Sequence, residues 1–482
     1  MRTLARTAID EAVFAGADYA DARALSRRSQ SVATRNREVD AVSDAESQGI
    51  GVRVLVGGAW GFACDRRLSE EGAREAARRA VDFARASASR VSRRVDLVPA
   101  GAVTGEYRTP AERDPVAVPL DEKIALCLRA EEALALPGIA VTQASVRAQS
   151  EERAFASSDG ADILQSFCEC GGGIDVLATG DERVQTRSYP SSHDGSSAQG
   201  GWEYVESLAL DREAPRVAGE ALALLRADPC PSGVMTVVID AEQMQLQMHE
   251  SVGHPTELDR IYGTEAAYAG TSFLHPGDLG SLRYGSEHMN VTADATTPGG
   301  LGTFGFDDEG VPARREPVVE AGLLRSFLSS RETAARLATG AGGSMRADGW
   351  SRMPLVRMTN LHLEPGEGSL EELLADVDDG VFLSTNKSWS IDDKRLNFQF
   401  GTEIAWEIKR GKLGRVLRDA TYTGVTPVFW GSLDAVAGPE EWRMHGLTNC
   451  GKGQPGQHAH VSHGASPARF RDVQVGVLSS FR

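Results

Sequence analysis

Two histidines flank a glutamate within one six-residue stretch of this 482-residue chain, which runs from His249 through Glu250 to His254. Imidazole nitrogens are common zinc ligands, and the carboxylate between them could take a proton from a metal-bound water. The histidines are five residues apart, so on a regular α-helix their side chains would point about 140° away from each other. Both can reach one metal ion only if the helix bulges or ends between them.

A strand followed by a helix is predicted to carry this histidine pair. Residues 233–239 form a short apolar run typical of a buried strand. Asp240 follows as an N-cap candidate, and Gln243 completes a capping-box-like pair. The pattern predicts a helix of about three turns over 241–252. The competing interpretation is a pair of ordinary histidines, since ten histidines in this chain make a chance match quite possible.

The end of this helix decides whether the two imidazoles can meet. Gly253 is a natural C-terminal stop, and Pro255 disfavours α geometry at the residue before it. We therefore predict that His249 and Glu250 lie on the last helical turn and His254 on the exit loop. The helix should end or bulge near Gly253, in a conformation that a side chain would hinder.

A catalytic zinc ion usually has three protein ligands and a water, so a third ligand is needed. Cys450 is the best candidate, because it lies in a glycine-rich segment where Lys452 would help to hold a thiolate. Alternatives remain open: Cys450 could be a structural cysteine or a peptidase nucleophile with a histidine as base. Four histidines nearby could replace or supplement it as a ligand: His445, His458, His460 and His463.

The composition is that of an ordinary soluble globular protein, with 41% hydrophobic and 25% charged residues. The net charge of −17 argues against nucleic acid and anionic membranes as partners. No run of about 18 apolar residues is present, so a transmembrane helix is not expected. The first residues are too polar for a secretory signal, and six cysteines do not form a disulfide framework. A cytoplasmic location is therefore expected.

The chain is predicted to have an α+β fold that is divided into two parts. A proline- and glycine-rich segment at 226–233 is the best boundary between an amino-terminal domain (1–226) and a carboxy-terminal domain (234–482). The first should mix helices with strands, and the second should be mostly antiparallel β-sheet. The amino-terminal pattern indicates helices over 3–15, 69–86, 121–136 and up to about 225, strands over 20–26, 30–36 and 49–64 with a hairpin turn at 57–58, irregular chain over 87–118, turns at 159–160 and 171–173, and a polar loop over 188–201.

Three further segments carry candidate chemistry. Cys168 and Cys170 lie two apart, but a lone pair of this kind in an apolar strand is more often part of the core. The segment Trp389–Arg395 could be a substrate-contact loop or a solvated turn. The acidic segment Asp307–Gly310 resembles a calcium loop only superficially, and a polar hairpin turn is the favoured interpretation.

Several segments, taken in order along the chain, resemble the TldD/PmbA family, whose members are sometimes labelled modulators of DNA gyrase. The matching segments are His249–His254, Arg357–Leu361, Lys387–Arg395, Asn397–Gly401 and Cys450–Pro455. The family has a metal-binding TldD branch with a His-Glu-x-x-x-His motif and a downstream cysteine, and a PmbA/TldE branch without that motif. Because both elements are present, the chain resembles the TldD branch.

The resemblance implies a zinc metallopeptidase that cleaves unfolded peptides or short proteins. The implied zinc ligands are His249, His254 and Cys450, with Glu250 as general base. It also implies a partner, either a TldE/PmbA-type subunit or a second copy of the chain. Two alternatives from other classes are a non-catalytic modulator with a structural metal and a cysteine peptidase that uses Cys450.

Overall fold

An eight-stranded sheet forms the centre of the amino-terminal part. The computed structural model describes residues 1–180 and 183–476. The strands of this part are β1 (Tyr19–Arg35), β2 (Glu38–Val56), β3 (Ala59–Asp65), β4 (Thr104–Arg108), β5 (Ile139–Ser157), β6 (Asp162–Gly180), β7 (Arg183–Tyr189) and β8 (Ser196–Gln199). Its helices are α1 (Arg2–Phe14), α2 (Glu70–Ala88), α3 (Leu120–Leu134), α4 (Glu203–Ser207) and α5 (Leu210–Arg226). The sheet order is β3-β2-β1-β5-β6-β4, and β7 and β8 also pair with β6.

Local signals in this part are confirmed where they concern caps and tight turns. The Ser69 hydroxyl accepts a hydrogen bond from the Gly72 amide at 3.2 Å and begins α2. Alanines spaced three and four apart give α2 a flat apolar face that packs on the sheet, including Ala73, Ala77 and Ala80. The hairpin turn at 57–58 also forms as predicted.

Three predictions for this part are wrong. The two short strands expected at 20–26 and 30–36 are the single strand β1, and the segment 87–118 contains β4. Gly171 to Gly173 form no turn but lie inside β6, where β8, in the expected polar loop, pairs with Gly171 and Gly172. A Cβ atom on Gly171 would lie 2.1 Å from the Ser197 hydroxyl. These glycines therefore allow a close strand approach, which a sequence pattern does not distinguish from a turn.

Two further sheets organise the carboxy-terminal part. Its strands are β9 (Asp228–Pro229), β10 (Gly233–Ile239), β11 (Val291–Asp294), β12 (Arg315–Glu320), β13 (Leu323–Leu324), β14 (Met345–Arg346), β15 (Leu355–Val356), β16 (Asn360–Leu363), β17 (Asp379–Ile391), β18 (Asn397–Lys409), β19 (Lys412–Arg418), β20 (Thr421–Val425), β21 (Leu433–Val436), β22 (Arg443–Lys452), β23 (Gln457–Ala465) and β24 (Ala468–Val475). The helices are α6 (Ala241–Met248), α7 (Leu258–Ile261), α8 (Arg331–Leu337), α9 (Leu370–Ala375) and α10 (Thr426–Gly431).

Most strand pairs in this part are antiparallel, as predicted. One sheet has the order β17-β10-β24-β20-β18-β19-β9, and β17 also pairs with β18. The other has the order β13-β12-β11-β16-β23-β22, and β14 pairs with β15 alone. The α+β fold class is confirmed, and the apolar faces of these sheets enclose the largest cluster of buried residues. No helix in the described part of the chain is long and apolar enough to cross a membrane.

The acidic segment at 307–310 is a turn, but its side chains are buried rather than solvated. Asp307 accepts hydrogen bonds from the amides of Glu309 and Val311, each at 2.9 Å. The Glu309 carboxylate forms an ion pair with Nη2 of Arg53 in the amino-terminal part, at 3.1 Å. The Asp308 carboxylate forms one with Nη1 of Arg153 at 2.7 Å. Burial raises the pKa of Asp307 to about 8. The segment joins the two parts of the protein through buried ion pairs.

Candidate metal centre

The helix that carries the two histidines changes its winding where they begin. α6 starts with the Asp240 carboxylate accepting the Gln243 amide at 2.8 Å, as its cap pattern predicts. After Met248 the chain forms a π turn over His249–Gly253, in which the His254 amide donates to the His249 carbonyl. This i→i+5 bond stacks residues five apart on the same side of the helix. The imidazole ring centroids are 4.8 Å apart, so the predicted bulge is confirmed.

The expectation that His254 lies on an exit loop is wrong. His254 keeps helical angles (φ −61°, ψ −40°) and begins a 3₁₀ turn over His254–Thr256. Pro255 has no amide hydrogen to satisfy a preceding carbonyl. The Thr256 hydroxyl supplies that donor, with oxygen–oxygen distances of 2.8 Å to the Val252 carbonyl and 2.9 Å to the Gly253 carbonyl. Helical winding therefore continues through the proline.

A glycine is required at position 253 because a side chain would not fit there, and not because of the backbone angles. Its φ of −60° and ψ of −65° are open to any residue, so the expected special conformation is absent. A Cβ atom on Gly253 would instead lie 2.0 Å from the sulfur of Met358, which is fully buried. The close approach of the π turn to Met358 explains the glycine.

We expect Gly253→Ala to lower the free energy of unfolding by about 1–3 kcal/mol, the usual cost of overpacking a buried site. Gly219→Ala is the matched control, because Gly219 lies inside α5 with open space around its Cβ position. The control should be neutral or stabilising, since alanine favours helix more than glycine does. Denaturant unfolding of both variants measures the difference, and equal stability would contradict the packing explanation.

Cys450 approaches the helical histidine pair from a strand of a separate sheet. It lies on β22, and the pairing of β22 with β23 shifts register between Leu447 and Cys450. Such a bulge re-aims a side chain. The Cys450 Sγ atom lies 3.3 Å from Nε2 of His249 and 3.7 Å from Nε2 of His254. All three candidate ligand atoms lie within 4.8 Å of one another and are buried.

The second nitrogen of each histidine already has a partner. Nδ1 of His249 is hydrogen-bonded to Nε2 of His463 at 2.7 Å, and Nδ1 of His254 lies 3.0 Å from the Glu257 carboxylate. A histidine that donates from Nδ1 leaves Nε2 unprotonated, the form that binds metal. Burial lowers the pKa of His249 to about 4, so its imidazole is neutral at pH 7. Both Nε2 atoms face the cysteine sulfur.

Two cations set the charge of the surrounding groups. Burial alone would raise the pKa of Glu257, but Lys452 at 3.1 Å and nearby His254 hold it well below its usual range. Burial would likewise raise the pKa of the Cys450 thiol, but Arg357 and His254 bring it below its usual value. Arg357 Nη2 lies 2.9 Å from the sulfur. A cysteine sulfur and two imidazole nitrogens are common zinc donors, so the residues fit a metal of this kind.

Sequence reasoning assigned the thiolate-holding role to the wrong cation. Lys452 donates to the carboxylate of Asp259 and the carbonyl of Val356, each at 2.7 Å, and does not approach Cys450. Arg357 takes that place, from a segment just before β16. No local pattern marks it, although it begins one of the segments on which the family resemblance rests.

The four histidines near Cys450 have other contacts. The group of potential ligands found in the described ranges comprises only His249, His254 and Cys450. Nε2 of His463 contacts Nδ1 of His249, and Nδ1 of His460 pairs with Glu169 at 2.5 Å. His445 faces His463 across the β22–β23 ladder, and His458 is exposed on the same ladder.

Glu250 lies next to the ligand group but is not part of it. Its carboxylate forms an ion pair with Nη1 of Arg395, which lies in the turn between β17 and β18. The segment 389–395 therefore contributes to the site through its last residue. Trp389, at its start, is 51% exposed and packs against His193 with ring centroids 5.2 Å apart.

Family models match nearly the whole chain in three consecutive pieces. They describe a PmbA/TldA metallopeptidase domain 1 over 20–84, a central domain over 113–225 and a C-terminal domain over 232–477. The chain belongs to the PmbA/TldD family of metallopeptidases.

Individual members of the PmbA/TldD family agree with this assignment. A metalloprotease of Methanocaldococcus jannaschii is 30% identical over 456 residues, which cover 94% of this chain and 96% of the relative. A zinc metalloprotease TldD homolog of Saccharolobus solfataricus is 23% identical over 257 residues, covering 52% and 54% of the two chains.

Solved structures share the fold at lower identity. A Thermotoga maritima crystal structure has a TM-score of 0.77 at 19% identity and covers 98% of this chain and 99% of its own. TldE from Thermococcus kodakarensis has a TM-score of 0.73 at 15% identity and covers 98% and 100%.

One residue of this PmbA/TldD site comes from the amino-terminal part and was not foreseen. His193 lies in the segment between β7 and β8 and lines a small cavity with Glu242, His249 and His463. Burial lowers the pKa of His193. Its only sequence signal was a histidine inside a polar loop. The ligand group is therefore bordered by side chains from both parts of the chain.

Proposed function

We propose that this chain is a zinc-dependent peptidase with His249, His254 and Cys450 as metal ligands and Glu250 as general base. The observation that carries the proposal is the meeting of two Nε2 atoms and one cysteine sulfur within 4.8 Å. The outer partners of these groups favour their metal-binding forms. The zinc metalloprotease name of the Saccharolobus solfataricus relative supports the choice of metal.

The chain's own residues supply the acid–base chemistry of peptide hydrolysis. A zinc ion supplies a Lewis acid that polarises a peptide carbonyl and activates water. Glu250 accepts the proton of the attacking water and later returns it to the leaving amine. His463 and Glu257 orient the two ligand histidines through their Nδ1 atoms.

Unfolded peptides and short proteins are the proposed substrates. The proposed ligand residues His249, His254 and Cys450 are 3–4% exposed, so a folded protein surface cannot reach them. An extended strand can enter such a site. Cys450 also lies on β22, which stands last in the order of its sheet. A peptide added to that edge would run past the thiolate.

The assembly, the location and the domain division are further parts of the proposal. We propose a TldE/PmbA-type partner subunit or a second copy of the chain, and the likeness to TldE of Thermococcus kodakarensis supports the first. We also propose a cytoplasmic location and a division into domains 1–226 and 234–482. Direct binding to nucleic acid is not proposed, in view of the net charge of −17.

A cysteine peptidase is the second candidate, because Cys450 Sγ lies 3.3 Å from an imidazole nitrogen of His249. We expect a zinc chelator to abolish cleavage of an unfolded, fluorescently labelled peptide and added zinc to restore it. A folded, disulfide-stabilised protein serves as the control substrate and should stay intact. Full activity in the metal-stripped protein would exclude the zinc peptidase and favour the cysteine mechanism.

A further inference from the structure

The backbone around Arg395 is held in place from three sides. Within the turn between β17 and β18, the Asp392 carboxylate accepts the Leu396 amide at 2.8 Å. The Arg395 carbonyl accepts the Thr426 hydroxyl at 2.9 Å. The carbonyl of the preceding Lys394 accepts the Phe273 amide at 2.8 Å.

Arg395 has a φ of +62°, a left-handed conformation that is uncommon for a residue other than glycine. Strain of this kind persists only where the surroundings determine the backbone, and it concentrates at functional sites. The Arg395 side chain is therefore attached to a backbone segment whose position is fixed.

The side chain of Arg395 has few partners. It is 16% exposed, and Glu250 is the only carboxylate within ion-pair distance among the described residues. Its Nε atom is buried and has no hydrogen-bond partner in residues 1–180 and 183–476. Other cations near the ligand group are already committed: Arg357 to Cys450, and Lys452 to Glu257 and Asp259. Arg395 is thus the cation that faces the proposed general base.

The charges of the Glu250–Arg395 pair change when Glu250 acts as the general base. When Glu250 takes a proton from water, an O–H bond of water breaks and the carboxyl becomes neutral. The water oxygen bonds to the peptide carbon, and the π electrons of the carbonyl move onto its oxygen. The negative charge thus leaves Glu250 and appears on the substrate, while the guanidinium keeps its positive charge and loses its partner. A desolvated cation without an anion is costly, and the new oxyanion provides one.

We propose that Arg395 is a catalytic residue that stabilises the oxyanion of the peptide under cleavage. Its ion pair with Glu250 holds the guanidinium ready in the peptide-free enzyme. The inference rests on the proposed function, because it takes Glu250 as the base. It adds a substrate-contacting cation from a segment whose role the sequence left open between a substrate loop and a solvated turn.

The test compares Arg395→Ala and Arg395→Lys with Lys394→Gln, a control that removes the exposed neighbouring cation of the same turn. We expect Arg395→Ala to lower kcat about 10²-fold with little change in KM and full zinc content, whereas Lys394→Gln changes none of these. Added guanidinium ion should restore part of the activity of Arg395→Ala. Arg395→Lys should keep an intermediate rate, and it serves for measurement if the alanine variant does not fold.

Binding provides a readout that is independent of turnover. In Arg395→Ala, the affinity for a phosphinic peptide, which carries a tetrahedral anion, should fall by the same factor as kcat/KM. The affinity for an uncleavable N-methylated peptide should not change. Equal losses of affinity for the phosphinic and the N-methylated peptide would overturn the inference. So would an effect of Arg395→Ala on KM alone. It would also fail if the unchanged enzyme cleaved only peptides with a free carboxyl terminus.

The proposed function and this inference can fail separately. If Glu250→Gln is inactive while Arg395→Ala keeps a normal kcat, only the inference is wrong. If Glu250→Gln keeps a normal rate, the assigned base is wrong, and the oxyanion role of Arg395 falls with it.

Discussion

Glu250→Gln should keep its zinc but hydrolyse an unfolded peptide about 10²–10⁴-fold more slowly, the usual cost of losing a positioned general base. Glutamine has nearly the same shape as glutamate but cannot take up a proton at neutral pH. Glu250 lies outside the group formed by His249, His254 and Cys450, so the change removes no ligand. Metal analysis and single-substrate kinetics on the same preparation measure both results.

Glu257→Gln is the matched control for this change. It removes the same charge seven residues further along, but Glu257 contacts Nδ1 of His254. We therefore expect weaker zinc affinity, by about 10–100-fold, as for other partners of metal-binding histidines. At saturating zinc the rate of Glu257→Gln should exceed that of Glu250→Gln.

Two outcomes would contradict the role assigned to Glu250. Near-normal turnover in Glu250→Gln would show that another group accepts the proton. A loss of zinc would place the carboxylate in the ligand set. The glutamine also leaves Arg395 without its ion-pair partner. The double variant with Arg395→Gln restores neutrality and separates loss of stability from loss of the base.

The parts of the fold that sequence patterns predicted depend on contacts within a few residues. Asp240 and Ser69 cap the helices α6 and α2 with their own side chains, and the turn at 57–58 needs only two glycines. The spacing of His249 and His254 likewise predicts a break in α winding. These features are local, so a single sequence contains the information for them.

The features that were missed depend on what approaches from elsewhere in the chain. Gly253 looks like a helix stop, but a glycine is needed there because the sulfur of Met358 occupies the space of a side chain. Gly171 looks like part of a turn, but a glycine is needed there because β8 packs closely against it. In both cases a distant segment takes the space of a side chain, and one sequence does not show which segment that is.

The same limit applies to the electrostatics of the site. Lys452 lies two residues after Cys450 on β22, a spacing at which strand side chains share a face, but its ammonium group binds the Asp259 carboxylate and the Val356 carbonyl instead. The cation that reaches the sulfur is Arg357, in the segment between β15 and β16. The pairing of Glu250 with Arg395 also joins residues 145 apart.

Cys450→Ser should lose most of its zinc, with an affinity lower by on the order of 10²-fold or more, since removal of a ligand should exceed the effect of its outer partners. A serine hydroxyl is a harder and poorer zinc donor than a thiolate. Arg357 and His254 lower the pKa of the Cys450 thiol, whereas a serine hydroxyl does not ionise near neutral pH, so the substitution removes the donor that can carry a charge. Zinc content after dialysis against a weak chelator measures the loss.

Cys170→Ser controls for the replacement of a buried cysteine. Cys170 is 1% exposed on β6, and its sulfur donates to the Gly201 carbonyl at 3.0 Å, away from the ligand group. This variant should keep its zinc, because the hydroxyl can donate to the same carbonyl.

Alkylation separates a ligand from a nucleophile at Cys450. As a ligand, the thiolate should be protected from iodoacetamide while zinc is bound and should become reactive when a chelator removes the metal. As a nucleophile, it should react in the zinc-loaded enzyme, and Cys450→Ser should keep its zinc while losing activity. Full zinc occupancy in the serine variant would therefore refute ligation by Cys450. His463 would then be the first residue to test in its place, since it already contacts His249 at 2.7 Å.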